Sequence, residues 1–197
     1  MASAEKLRLF VAMDIPPEAR ELLSETIEAF RGEIEGARWV KAENLHLTLK
    51  FIGEYEKEGL ERLSHEIRVT AERCHGFEAA LGGCGAFPSQ RKARVLWVGM
   101  HAGAEDAGAV ARKLDSRLEK VGIKRENRPF RGHLTLARMK RPLDCSSYLE
   151  SMREKLEGLQ DIIFEVGEIV IYRSVLSPQG PTYKALERVG LLRRRIE

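Results

Sequence analysis

The sequence predicts an α+β fold built mostly from antiparallel strands. Three observations lead there. Strand-like and helix-like stretches mix without the strict alternation of a parallel βαβ sheet. The tetrapeptide HLTL stands at 46–49 and again at 133–136, once in each half of the chain. The 197 residues are enough to bury a real core, as one domain or as two small lobes sharing a cleft.

The elements follow in order. KLRLFVAMDI (6–15) is apolar throughout, as a central strand would be, and Pro16-Pro17 ends it. Leu22, Leu23, Ile27, Phe30 and Ile34 then recur at helical spacing. ARWV (37–40) reads as a short strand and LHLTLKFIG (45–53) as a longer one. Leu60, Leu63, Ile67, Ala71 and Cys74 mark a second helix. FEAALGGCGAF (77–87) and RVLWVGM (94–100) read as two strands joined by a loop. A third helical stripe runs from Ala107 through Val110, Ala111, Leu114 and Leu118 to Val121, with Gly122 as its C-terminal cap. GHLTLARM (132–139) is a strand, and Ser146 or Ser147 is expected to cap a helix reaching about Leu156. The stretch 162–176 is strand-rich, SPQGP is a turn, and TYKALERVGLL (182–192) closes the chain as a strand.

Composition excludes several classes. No apolar run reaches the roughly 20 residues that span a bilayer. The opening MASAEKLRLFVAMDIPPE reads as a first strand and lacks the pattern of a signal peptide. Cys74, Cys84 and Cys145 are odd in number and far apart, so neither a disulfide framework nor a thiolate zinc site is suggested, and a reducing cytoplasm fits best. The net charge is +3, from 33 basic and 30 acidic residues, too balanced for tight nonspecific binding to nucleic acid. Basic clusters do occur, at 89–94, 124–131, 138–141 and 193–195. The terminal run reads as solvated surface, whereas those flanking the second HLTL stand where they would attract phosphate.

In a strand, residues two apart share a face. HLTL therefore puts His46 and Thr48 on one side and the leucines on the other, and His133 and Thr135 repeat the division. The leucine face packs a core. The His-Thr face must be solvated, hydrogen-bonded or lining a cleft. Spacing alone leaves ordinary strand packing and catalysis both open. Two facing histidines would suit an in-line displacement at a phosphodiester without a metal, one as base and one as acid, with threonine hydroxyls on the phosphate oxygens. His65, His75 and His101 lack the pattern and read as surface residues.

Five segments in order, RLFVAMDIP (8–16), HLTLKFIGE (46–54), GAFPSQRKARVLWVG (85–99), RPFRGHLTLAR (128–138) and YRSVLSPQGPTYKAL (172–186), together resemble the RNA 2′,3′-cyclic phosphodiesterases (2′-5′ RNA ligases) of the 2H phosphoesterase superfamily. Gly132 departs from that pattern, in which a proline often precedes the histidine. The resemblance implies a single bilobal domain over 1–197: two pseudo-symmetric lobes with antiparallel sheets around a cleft, each supplying one HxTx. It implies hydrolysis of RNA terminal 2′,3′-cyclic phosphate to 2′-phosphate, and ATP-independent 2′-5′ ligation in reverse. His46 would donate the proton to the leaving O3′ and His133 would accept one from water. Thr48 and Thr135 would hold the nonbridging oxygens.

Arg138 matches a family position but falls by strict alternation on the leucine face; a bulge, a strand end or its own length would have to bring it round. Arg131, two before His133, has the easier geometry and is a second phosphate candidate. Lys50 shares the face of His46 and Thr48, while Phe51 falls on the leucine face and is expected in the core. Phe10, Phe87, Tyr172 and Tyr183 are further aromatics of the matching segments. No cofactor, metal or obligate protein partner is expected; the ligands would be RNA ends or nucleotides with a 2′,3′-cyclic phosphate, and the protein a monomer. Competing readings are ADP-ribose cyclic phosphate or 2′-5′ oligonucleotides as substrates, a noncatalytic RNA- or nucleotide-binding module, and a two-histidine metallohydrolase. The last lacks a carboxylate or third histidine beside either HLTL.

Overall fold

The structure is a computed structural model that describes residues 5–178 and 180–193. Its elements are β1 (Lys6–Met13), α1 (Pro17–Phe30), β2 (Ala37–Trp39), β3 (Leu47–Glu56), α2 (Leu60–Ala71), β4 (Phe77–Phe87), β5 (Ala93–Ala102), α3 (Ala104–Leu118), β6 (His133–Leu143), α4 (Ser146–Lys155), β7 (Phe164–Val166), β8 (Glu168–Ser177) and β9 (Gly180–Gly190). The fold is α+β, as expected, and every pairing between these strands is antiparallel.

The strands run β7-β4-β5-β6-β3-β1-β8-β9, with β2 added against β6. The two HLTL strands meet at the centre, joined by the pair Leu47–Leu134. Three strands of this order flank the pair on each side, so the order is symmetric about the two repeats. Chain halves and sheet halves do not coincide. β4 and β5, from the first half of the sequence, build the side of His133, while β8 and β9, from the second, build the side of His46. The stretch 162–176 breaks at Gly167 to make this exchange: β7 pairs with β4, and β8 pairs with β1 on the opposite side.

The helices bury the stripes their spacing predicts. Ala19, Leu23, Ile27 and Phe30 of α1, Leu63 and Ile67 of α2, and Val110, Leu114 and Leu118 of α3 are all buried. Gly122 closes the turn after α3 at φ 82°, in the left-handed region where a Cβ would be strained. One expectation is corrected at α4. Neither serine caps it; the Asp144 carboxylate accepts from the backbone N–H of Ser146 (3.0 Å) and from its hydroxyl (2.7 Å). An acceptor two residues earlier does the work assigned to the serine. SPQGP does join β8 to β9, although Gln179, like Arg194 and Arg195, lies outside the described residues. Among the described residues no helix is long and apolar enough to cross a membrane, and the three cysteines are free and buried.

Candidate active site

The two repeats carry the same local irregularity. On β3, Ala12 pairs with Thr48 and Val11 with Lys50, so Leu49 is skipped. On β6, Trp97 pairs with Thr135 and Leu96 with Ala137, so Leu136 is skipped. Each is a β-bulge at the last letter of HLTL. Both skipped leucines stay buried, at 5% and 0% exposure. Past each bulge the alternation is out of phase by one residue, so the two residues that follow change face.

The phase shift decides four side chains. Arg138 turns away from the leucine face and lines the same pocket as Thr135. Phe51, its counterpart on β3, does the same and is 54% exposed, so its expected place in the core is corrected. Lys50 goes the other way, into the protein, and is buried like its counterpart Ala137. Its ammonium donates to Asp115 Oδ1 (2.6 Å) and the Lys124 carbonyl (2.8 Å). Lys50 therefore does not share the face of His46 and Thr48.

The pocket has a volume of about 70 Å³ and is lined by His46, Thr48, His133, Thr135, Arg138 and Phe51, together with Val40, Asn44 and Tyr183. The Nδ1–H of His46 donates to the Asn44 carbonyl (2.7 Å), and the Nδ1–H of His133 donates to the Arg131 carbonyl (2.8 Å). A carbonyl only accepts, so Nδ1 carries the proton in both rings and Nε2 is the free nitrogen. His46 Nε2 lies 2.9 Å from the Thr48 hydroxyl. Arg131 thus contributes its backbone carbonyl, while its side chain is absent from the pocket lining.

His46 is held more tightly than His133. Arg20 of α1 donates to the Ala42 (2.6 Å) and Leu45 (3.1 Å) carbonyls and so fixes the turn ahead of it. The Asn44 amide donates to the Pro181 carbonyl (2.8 Å), tying that turn to β9. Phe10 stacks on the His46 ring at 4.8 Å, and Tyr183 meets it edge-on at 5.2 Å. This burial pushes the His46 pKa below its ordinary value; the Asn44 hydrogen bond and nearby Asp14 oppose the shift, and Arg20 and Arg138 add to it. Asp14 accepts from the Tyr172 hydroxyl (2.6 Å) and pairs with Arg188 (3.0 Å). Burial and that bond push the Tyr172 phenol up to about 12, so it stays protonated. On the other side Phe87 meets His133 edge-on at 5.1 Å.

Gly132 has a local reason. A Cβ there would lie 2.5 Å from Met100 Sδ, so the methionine fills the space a side chain at 132 would need. His65, His75 and His101 are exposed and lie outside the pocket. Sequence reasoning missed Asn44, Asp14 and Arg20, whose roles are carbonyl acceptor, remote charge and turn clamp. It left Phe10 and Tyr183 unassigned among the aromatics. Only their place in the matching segments singled those two out. Among the described residues no group of three or more His, Cys, Asp or Glu could hold a metal ion.

Comparison with known proteins finds matches over most of the chain. The LigT like Phosphoesterase family matches the chain twice, over residues 13–97 and 98–183, with the boundary inside β5. An RNA 2′,3′-cyclic phosphodiesterase of Methanothermobacter thermautotrophicus is 32% identical over 92% of this chain and 97% of its own. One of Archaeoglobus fulgidus is 33% identical over 91% and 98%. Among solved structures, a Thermus thermophilus protein superposes with a TM-score of 0.78 at 30% identity, covering 96% of this chain and all (100%) of the other. Escherichia coli LigT complexed with 3′-AMP follows at 0.71 and 30%, covering 95% and 99%. A family match twice over, with one HLTL in each matched stretch, means that this protein belongs to the LigT-like phosphoesterase family.

Proposed function

We propose that the protein hydrolyses the terminal 2′,3′-cyclic phosphate of RNA to a 2′-phosphate, without a metal. One observation carries the reading. Two histidines, each with Nδ1 committed to a backbone carbonyl, face one small pocket together with two threonine hydroxyls and an arginine. The relatives named as RNA 2′,3′-cyclic phosphodiesterases support it, as does the 3′-AMP complex of E. coli LigT.

The chemistry balances within that set. His133 Nε2 takes a proton from water as the water oxygen bonds to phosphorus. The P–O3′ bond breaks, and His46 Nε2–H gives its proton to the departing O3′. The product bears a 2′-phosphate and a free 3′-hydroxyl, and exchange with solvent resets both rings. Thr48, Thr135 and Arg138 bear the charge that develops on the nonbridging oxygens. Arg131 assists through the carbonyl that holds His133 upright. Phe51, turned out by the bulge, offers a ring on which a base can stack. A lowered His46 pKa makes the free enzyme poor in imidazolium, and a bound phosphodiester's negative charge counters that.

Run in reverse with an RNA 5′-hydroxyl in place of water, the same groups give 2′-5′ ligation. We read the chain as a single bilobal unit, monomeric, in the reducing cytoplasm that its free buried cysteines suit. The test is an assay in excess EDTA on 2′,3′-cyclic AMP and on an RNA ending in a cyclic phosphate, with phosphorus NMR of the product. Turnover to a 2′-phosphate is expected. Loss of activity with EDTA and recovery with added metal, or a 3′-phosphate product, would overturn it.

A further inference from the structure

A second concavity adjoins the pocket and shares Phe51 with it. It measures about 460 Å³ and is lined by Phe51, Ile52, Ile123, Lys124, Arg125, Glu126, Asn127 and Arg128. Its outer wall is the segment between α3 and His133, the basic cluster singled out in the sequence. That wall is fastened to the catalytic strand. Buried Lys50, next to Phe51, donates to the Lys124 carbonyl (2.8 Å) and to Asp115 (2.6 Å), and Asp115 Oδ1 also accepts from the Glu126 N–H (3.0 Å).

The charges of the groove divide into used and unused. Arg125 pairs with Glu119 at 2.9 Å and donates to the Ser116 hydroxyl at 3.2 Å. Glu126 lies 3.7 Å from the Lys50 ammonium. Lys124 and Arg128 have no ion-pair partner among the described residues, and both are exposed. The groove therefore offers two uncommitted cations on a wall pinned to β3, one aromatic ring away from the pocket of the two histidines. Single-stranded nucleic acid is bound by this combination, cations that track the backbone beside an aromatic ring.

We propose that this groove holds the RNA strand on the 5′ side of the terminal nucleotide, with Lys124 and Arg128 on its phosphodiesters. The inference rests on the reading of the pocket as a site for cyclic-phosphate RNA ends. It adds that the preferred substrate is an oligonucleotide, because a mononucleotide leaves the groove empty. Arg125 and Glu126, already paired, shape the wall.

The test compares the wild type with the double variant Lys124→Gln, Arg128→Gln on 2′,3′-cyclic AMP and on a trinucleotide ending in a 2′,3′-cyclic phosphate. The wild type favours the trinucleotide. The double variant loses about tenfold in kcat/KM on it, mainly through KM, and keeps its activity on the mononucleotide. The salt slope for the trinucleotide becomes shallower by about 1.4, from two phosphate contacts at about 0.7 each. Equal losses on both substrates, or none on the trinucleotide, overturn the groove. Fluorescence anisotropy with a labelled trinucleotide ending in a 2′-phosphate reads the groove without turnover. There the variant binds about tenfold more weakly, and equal binding overturns the proposal. A wild type that hydrolyses neither substrate overturns the proposed activity, and the anisotropy result still decides the groove.

Discussion

Leu49 of β3 and Leu136 of β6 hold the same place in the two HLTL repeats, and each is the residue its partner strand skips. The bulge turns Phe51 outward on one side of the pocket and Arg138 on the other. The same backbone device thus supplies an aromatic ring from one repeat and a guanidinium from the other. The near-symmetric pair of His-x-Thr motifs becomes a polarised site. Arg138→Gln is expected to lower kcat/KM on a cyclic phosphate roughly 10- to 100-fold, the worth of a charge-assisted hydrogen bond to the reacting group. Phe51→Ala is expected to act mainly through KM. An Arg138→Gln enzyme with unchanged kcat/KM would mean that the bulge does not bring the guanidinium to the phosphate.

His46→Ala and His133→Ala each remove one half of the proton transfer. Each is expected to lose about 10²- to 10⁴-fold in kcat, and the double variant little more, because the two act in one step. Circular dichroism should match the wild type, since both rings stand partly exposed at the pocket. Either single variant turning over near the wild-type rate contradicts the paired mechanism.

The environment of His46 separates acid from base. Its pKa is lowered chiefly by burial, with Asp14 pulling upward. An acid must be protonated, so with His46 in that role a lowered pKa leaves less of the enzyme in the active protonation state on the alkaline side of the profile. Asp14→Asn removes a negative charge, stabilises the imidazolium less, and lowers this pKa further. With His46 as the acid, kcat/KM then falls on the alkaline side of the profile and is unchanged on the acidic side. A rise in kcat/KM on the acidic side with the alkaline side unchanged would reverse the roles of His46 and His133. The kcat profile, taken on the bound complex, should show its alkaline limb at higher pH than kcat/KM, because the substrate's negative charge favours the imidazolium.

The helices were legible because each buries a stripe at 3.6-residue spacing, and the buried leucines of HLTL follow from strand period alone. Lys50 and Phe51 were misplaced because a period of two extrapolated through a bulge gives the wrong face, and nothing in the local letters of HLTLKF or HLTLAR announces the skipped leucine. Of the devices that could bring Arg138 round, a bulge, a strand end or its own length, the bulge is the one present. The exchange of β4-β5 and β8-β9 between the two sides was illegible, since a strand's partner is set by tertiary packing. The carbonyls of Asn44 and Arg131 carry no side-chain signature, so the two contacts that fix the histidine tautomers could not be read from residue identities. Asp144 stands two residues before α4 begins, outside the single capping position that the sequence pattern points to.

Lys50 is the residue whose misplacement has a measurable consequence for stability. Its side chain is 1% exposed, and its ammonium bonds the 19%-exposed Asp115 carboxylate and the Lys124 carbonyl. Burial raises the Asp115 pKa, but the Lys50 and Glu126 hydrogen bonds outweigh it and hold the carboxyl below its ordinary value. Lys50→Met fills the space with apolar atoms and strands Asp115. A loss of about 2–3 kcal/mol in urea unfolding at pH 7 is expected, somewhat under the cost of breaking a fully buried pair because Asp115 keeps some water. A carboxyl depressed in the folded state contributes stability above its unfolded pKa of about 3.9 and loses it as the pH falls through the lower, folded value. The gap between wild type and Lys50→Met should therefore narrow below about pH 3.9, where Asp115 protonates and the pair is lost in the wild type too. A gap that stays constant from neutral pH down to the acid transition would show that Lys50 contributes through packing, with no share from its ion pair.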